Sequence, residues 1–155
     1  AQYEDLRVQR LNMMKELRAL SKTERFAEPL RLLMTVPGIG QVSGLTILSE
    51  IDDIARFKDA SHLASYVGIV PMCYSSGEHD GTGNLTVRRH AQLRWLIVES
   101  AWIAVRKDPV LSAAYVEYCR KMKPSKAIIK IARRIINRIY FVMKHQHPYV
   151  NCFVS

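Results

Sequence analysis

The chain has 155 residues, 48% of them apolar, which is enough for the core of one compact domain. Its net charge of +9 points to a polyanionic partner. No apolar run reaches membrane-spanning length, no stretch has a signal-peptide pattern, and the three cysteines lack the spacing of a metal site, which indicates free thiols in a reducing cytoplasm.

The first predicted element is a long amphipathic helix over residues 3 to 27, and we treat residues 1–29 as a separate unit. Apolar residues recur at three-, four- and seven-residue steps: Tyr3, Leu6, Met13, Leu17 and Leu20. This spacing fits a coiled coil that dimerises or a strut to another domain, although Arg10 and Glu24 interrupt the seam. A helix packed on the rest of the domain fits the pattern equally well. Because the sequence starts at Ala1 within this helical pattern, we expect it to be a fragment of a longer protein.

A sharp reversal follows at Pro37-Gly38-Ile39-Gly40, between two apolar runs of helical period. Proline cannot continue a helix, and both glycines can adopt the positive φ angles that a tight turn needs. The pattern predicts a helix-hairpin-helix unit. The backbone N–H groups at the start of its second helix can bind a nucleic-acid phosphate without reading sequence. A plain corner between two helices is the alternative. Asp52 and Asp53, which come next, are better read as a polar connector with a helix cap than as a metal site.

A short helix around Leu63 and Val67 leads into an irregular stretch over residues 68–85, rich in glycine and small polar residues. A loop of this length is uncommon in a compact domain unless it is functional or disordered. It contains the only plausible nucleophile, Ser75 or Ser76. A serine needs a base or a metal and nearby cations, and the candidates close in sequence are His79, Asp80, Arg88, Arg89 and Arg94. A plain turn is the alternative.

Positive charge is concentrated in the last part of the chain. Residues 1–34 carry +2, residues 35–85 carry −4 and residues 86–155 carry +11. Three helices are predicted there, over residues 86–106, 109–122 and from 124 onward. Cations at the start of the first oppose its dipole, a conflict typical of working sites. The last carries many cations: Lys126, Lys130, Arg133, Arg134, Arg138 and Lys144. A solvated basic face would also explain each helix, but the shared bias favours a phosphate-binding surface.

The order of motifs resembles one protein family over about residues 30 to 106. The motifs are Leu-x-x-x-Pro-Gly-Ile-Gly, Glu-Ile-x-Asp-Ile-x-Arg-Phe, Leu-Ala-Ser-Tyr-Val-Gly-Ile-Val-Pro, Ser-Ser-Gly and an Arg-rich helix containing Leu-Arg. They look like the C-terminal domain of the DEDD-type insertion-sequence transposases, which include bridge-RNA-guided recombinases and are related to pilin-gene invertases. The resemblance implies an all-α domain over residues 30–155, with about six helices around the helix-hairpin-helix unit.

It also implies the chemistry. In such proteins a serine attacks a DNA phosphodiester and becomes covalently linked to the DNA end; by the family spacing this is Ser75, with Ser76 beside it. Gly77-Glu78-His79 and Val87-Arg88-Arg89 depart from the usual Gly-Gly-Lys and Lys-Arg-Gly, which puts the charge-stabilising partners in doubt. A RuvC-like domain with four acids and a divalent metal such as magnesium is expected outside this chain, which holds no cofactor of its own, and the fragment alone should be inactive.

The sequence prediction is therefore as follows. Ser75 is the nucleophile, and DNA is contacted by Gly38, Gly40, Arg88, Arg89, Arg94, Lys126, Lys130, Arg133 and Arg134. The expected partners are DNA, a guide RNA as in some relatives, and a second copy through the N-terminal helix, in a prokaryotic cytoplasm at the nucleoid and without a membrane. The alternative function is a non-catalytic helix-hairpin-helix DNA-binding module.

Overall fold

The computed structural model describes residues 1–70 and 90–150, and this part of the chain is all-α, as predicted. Seven α-helices occur there, with one 3₁₀ turn at Ile54–Arg56. Their bounds are α1 Gln2–Ser21, α2 Ala27–Leu33, α3 Gln41–Ile51, α4 Ala60–Val67, α5 Ala91–Lys107, α6 Pro109–Lys121 and α7 Pro124–His145. None of these helices is both long enough and apolar enough to cross a membrane.

The last helix, α7, is the centre of the domain, and α2, α4, α5 and α6 all pack against it. Its wide apolar face is almost completely buried, through Ile131, Ile135, Ile136 and Ile139. Burying each such side chain contributes roughly 1.5–3 kcal/mol relative to exposure. The isoleucine-rich period of residues 124–145 therefore sets the position of the other helices.

The N-terminal helix is shorter than predicted, and most of it stands clear of the body. It ends at Ser21, and a turn separates it from α2. None of its residues is buried, and Leu17 is the one apolar residue of α1 that packs against the core. Gln41 Nε2, at the start of α3, donates a hydrogen bond of 2.8 Å to Ser21 Oγ. Contact with the domain is thus limited to the C-terminal end of α1.

The junction between α5 and α6 is fixed by a buried ion pair. Asp108 Oδ1 accepts from the backbone N–H groups of Val110 and Leu111, and Pro109 is the first residue of α6, as the Asp-Pro pair predicts. The other carboxylate oxygen lies 2.8 Å from Arg138 Nη1 on α7. The Arg138 guanidinium in turn lies over the Tyr149 ring, with Cζ 4.3 Å from its centroid. One carboxylate thus caps α6 and ties it to the central helix.

Candidate nucleic-acid interface

The turn for which a helix-hairpin-helix unit was predicted joins α2 to α3, and its two glycines have different roles. Gly38 has a φ of +88°, and a Cβ there would collide with the backbone carbonyl of Ser100 on α5. Gly40 has a φ of −107° in extended backbone, and an added Cβ there would make an ordinary van der Waals contact with Ser43 Oγ, 4.0 Å away. The expectation that both glycines supply positive φ is therefore wrong for Gly40. Gly38 makes the turn, since the close approach of α5 leaves room only for hydrogen.

Gly40 is the exposed member of the pair, and it lies where the amides of α3 face solvent. Its N–H donates to Ser43 Oγ at 2.8 Å, so Ser43 holds the entry to the helix. The N–H groups of Gln41 and Val42 meet no acceptor among the described residues. An α-helix leaves its first amides unpaired, and these attract anions. The side of the turn available to a phosphate is the Gly40 side, away from α5.

Two of the predicted cations each lie beside a residue where the chain leaves α4. Gly68 closes α4 in the left-handed conformation, and an added methyl group there would lie 3.7 Å from Cδ of Arg94 on α5. Arg133 of α7 donates from Nη1 to the carbonyl of Ile69 at 3.2 Å and from Nη2 to Ser61 Oγ at 2.8 Å. Arg94 and Arg133 therefore flank consecutive residues, Gly68 and Ile69, just before residues 71–89.

The other end of that segment is also fixed on α4. His90 is 8% exposed, and its ring lies on that of Tyr66, with centroids 3.9 Å apart. The Tyr66 ring meets Phe57 edge-on, and its hydroxyl donates to the carbonyl of Glu50 at 3.2 Å. His90 Nδ1 is buried and has no hydrogen-bond partner among the described residues. Ile69 and His90, on either side of residues 71–89 in the sequence, therefore both lie against α4.

Six of the sequence-predicted site residues fall outside the described part of the chain: Ser75, Ser76, His79, Asp80, Arg88 and Arg89. Their roles stay predictions. The structure bears on them only through the anchors at Ile69 and His90.

The predicted cations of α7 do not form one surface. Arg133 points to α4, whereas Lys130 and Arg134 lie one helical turn apart beside Tyr118 of α6. Their charged groups are 5.2 and 5.5 Å from the ring centroid. Lys126 is exposed one turn earlier. Tyr118 was not predicted from the sequence, because its position opposite two cations depends on how α6 packs against α7. An aromatic ring between cations can contact both bases and phosphates.

One acidic side chain at the start of α4 has a defined structural role. Asp59 caps α4: His62 Nδ1 and the His62 backbone N–H both lie 2.9 Å from its Oδ1. The side-chain hydrogen bond from His62 holds the pKa of Asp59 below its ordinary value. In residues 1–70 and 90–150, no three His, Cys, Asp or Glu side chains come together in a way that could hold a metal ion. The magnesium ion that the resemblance implies is expected in a domain outside this chain.

Comparison with known proteins settles the family. The model of the "Transposase IS116/IS110/IS902 family" matches residues 30–116, which is more than half of the chain. The chain belongs to this family. The residues that the family model matches run from α2 into α6. They include the glycine turn, α4, Arg94 and both anchors of residues 71–89, but not α7.

Named relatives agree with the resemblance drawn from the motifs. The family chain is 29% identical to the "Insertion element IS116 uncharacterized 44.8 kDa protein" of Streptomyces clavuligerus, over 84% of this chain and 32% of that protein. It is 28% identical to the "Transposase for insertion sequence element IS1111A" of Coxiella burnetii, over 59% of this chain and 24% of that one. It is 29% identical to the "Pilin gene-inverting protein" of Moraxella bovis, over 76% of this chain and 38% of that one.

The family chain therefore spans about a quarter to two fifths of the length of these relatives. No solved structure matches it.

Proposed function

We propose that this chain is the DNA-binding and nucleophile-bearing C-terminal domain of an insertion-sequence transposase. The observation that carries the proposal is the convergence of Arg94 and Arg133 on Gly68 and Ile69, at the entrance to the segment that contains Ser75. Gly68, Ile69 and Arg94 lie in the part of the chain that the family model matches, whereas Arg133 lies on α7, outside it. Relatives named as transposases and as a gene-inverting protein support DNA as the substrate.

In the proposed reaction, Ser75 Oγ attacks a backbone phosphorus atom of DNA. A new Oγ–P ester forms as the bond from phosphorus to a deoxyribose oxygen breaks, and the serine proton ends on that leaving oxygen. The covalent phosphoserine link conserves a phosphodiester, so a second DNA end can reverse the step and complete strand exchange. The chain's own part in this step is to bind the phosphate and stabilise the charge on its oxygens in the transition state.

Arg94 is the described residue best placed for that role. Its guanidinium forms no hydrogen bond or ion pair with another described residue, so it is available to a phosphate oxygen. Arg88 and Arg89, close to the start of α5 in sequence, are proposed to act with it. Arg133 already donates to Ile69 and Ser61, so we propose that it mainly positions the backbone and reaches DNA with its remaining N–H groups.

Flanking DNA would be held more weakly and without sequence preference. The turn at Gly38 and Gly40 is proposed to place the first amides of α3 against one phosphate. Lys126, Lys130 and Arg134 are proposed to bind others along α7. Contacts of these kinds position DNA and depend on salt.

Two further components of the proposed transposase lie outside this chain. We propose a RuvC-like domain with its metal outside this chain, and a second copy joined through α1. The same proposal includes a guide RNA, as in some relatives, and localisation at the bacterial nucleoid. The isolated chain would then bind DNA weakly and cleave none.

The decisive experiment replaces Ser75 by alanine in the full-length protein. We expect Ser75→Ala to abolish strand cleavage and the covalent protein–DNA adduct seen on denaturing gels, while DNA binding stays within about twofold. Ser76→Ala is the matched control, and it should still form the adduct. Equal adduct in Ser75→Ala and the parent protein would contradict the proposal. Full DNA binding with no adduct from any form would favour the non-catalytic module instead.

A further inference from the structure

Trp95 is a large aromatic side chain that the domain leaves in solvent. It is 62% exposed on the first turns of α5, although tryptophan is usually among the best-buried residues by area. It forms no ring or cation–π contact with another described residue. Trp102, the only other tryptophan of the chain, is half-buried and packs edge-on against Tyr115 at 5.6 Å. Trp102 therefore packs against the hydrophobic core, whereas Trp95 does not.

Trp95 directly follows Arg94, the residue of α5 proposed to bind phosphate. Leu93 and Ile97 face the core, so Trp95 between them points outward. Its neighbour Arg94 lies against Gly68, where the chain leaves α4. His90, one turn before Arg94, fixes the start of α5 on Tyr66. An exposed indole and an available guanidinium thus follow one another on the first turns of α5, with side chains that leave the helix about 100° apart.

We propose that Trp95 stacks on an unpaired base of the DNA strand whose phosphate Arg94 contacts. This inference rests on the proposed function, and it adds the substrate form that the site prefers. The bases of an intact duplex are covered by their neighbours, whereas strand exchange separates bases next to the cleaved bond. An aromatic face beside a cation is the usual way in which proteins bind such bases. Glu99, one turn further along α5, has an exposed carboxylate that repels phosphate. The proposed contact with DNA therefore ends before Glu99.

Tryptophan emission tests the contact directly. In the 155-residue chain carrying Trp102→Phe, Trp95 is the sole tryptophan, and base stacking should quench it. We expect quenching that saturates together with the anisotropy of a dye-labelled oligonucleotide when the DNA is single-stranded or a duplex with a short unpaired gap. The intact duplex of the same sequence should raise the anisotropy with little quenching.

Affinity variants give an independent measure. Trp95→Ala should weaken binding to the gapped DNA about tenfold and to the intact duplex less than twofold, while Trp95→Phe keeps most of the affinity. Phe141→Ala, which removes an aromatic ring 47% exposed on α7, is the matched control and should leave both affinities unchanged.

The outcomes separate the two proposals. Binding of both DNAs with unchanged Trp95 emission, or equal loss of both affinities in Trp95→Ala, would overturn the stacking contact and leave the proposed function standing. Failure of the parent chain to bind either DNA, at low salt, would overturn both.

Discussion

At the scale of single residues, the turn between α2 and α3 depends on Gly38 and tolerates change at Gly40. Gly38→Ala would force alanine into the left-handed region and press its Cβ onto the Ser100 carbonyl of α5. The first effect costs roughly 1–2 kcal/mol and the second about as much again. We expect the free energy of unfolding, measured by urea titration, to fall by about 3 kcal/mol.

Gly40→Ala is the matched control, because Gly40 lies in extended backbone and an added Cβ would come no closer than 4.0 Å to Ser43 Oγ. Its stability should stay within about 0.5 kcal/mol of the parent chain. Equal stability of the two variants would show that the packing of Gly38 on α5 is not as described. A loss of DNA affinity in Gly40→Ala would then report on the proposed phosphate contact, since folding is unaffected.

The same two glycines show how far a sequence can be interpreted at this scale. Pro37 and the glycines predict a reversal because local sterics decide it. Which glycine is indispensable depends on α5, about 60 residues later, so the local pattern cannot separate them. Trp95 is a similar case. Its place opposite a buried stripe can be read from helical spacing, but the contact of its neighbour Arg94 with Gly68 cannot.

At the scale of elements, the tie between α6 and α7 is the buried pair of Asp108 and Arg138. The Asp108 side chain is fully buried, and that of Arg138 is 13% exposed. Asp108→Ala removes the α6 cap and leaves a nearly buried guanidinium without its charge partner. Such losses cost roughly 3–5 kcal/mol, so we expect the urea midpoint, followed by circular dichroism, to fall steeply.

A surface pair gives the control for that prediction. Glu117 of α6 pairs with Arg120 and Lys121 in exposed positions, and Glu117→Gln should change stability by less than about 0.5 kcal/mol. Arg138→Met added to Asp108→Ala should restore part of the loss, because the uncompensated charge is then gone. A double variant no more stable than Asp108→Ala would place the cost in the cap instead.

Element boundaries near capping residues were predictable, but their long-range partners were not. Asp108-Pro109 predicts the start of α6 correctly, because capping is a local hydrogen bond. The sequence treats Arg133, Arg134 and Arg138 as members of one basic face. The structure gives them three different neighbours: the end of α4, Tyr118, and Asp108. Arg133 and Arg134 are adjacent, so their side chains leave α7 about 100° apart, whereas Arg134 and Arg138 lie on nearly the same face but one turn apart along it.

At the scale of the whole molecule, α1 is the part whose position the sequence left open. Its spacing fitted both a free coiled-coil arm and a helix packed on the domain. The structure combines these: the C-terminal end contacts the body through Leu17 and Ser21, while Tyr3, Leu6 and Met13 are 77%, 64% and 64% exposed. The spacing of apolar residues predicts an apolar stripe along α1. It does not predict which part of that stripe packs against the rest of the domain.

The exposed part of this stripe carries the proposed dimer. Leu6 and Met13 lie one heptad apart on the same side of α1, and two copies could bury them against each other. We expect sedimentation equilibrium to show a dimer for the 155-residue chain and a monomer for the Leu6→Glu, Met13→Glu double variant. The thermal unfolding midpoint at low concentration should be unchanged, because neither residue touches the core.

Val8 supplies the control on the same helix. It is 53% exposed but lies on the side of α1 opposite Leu6, so Val8→Glu adds a carboxylate without entering the seam. This variant should remain dimeric. A monomeric parent chain at all concentrations would refute the self-association of α1. Dissociation by Val8→Glu as readily as by the seam variant would show instead that added negative charge, and not the loss of apolar contact between the two seams, separates the copies.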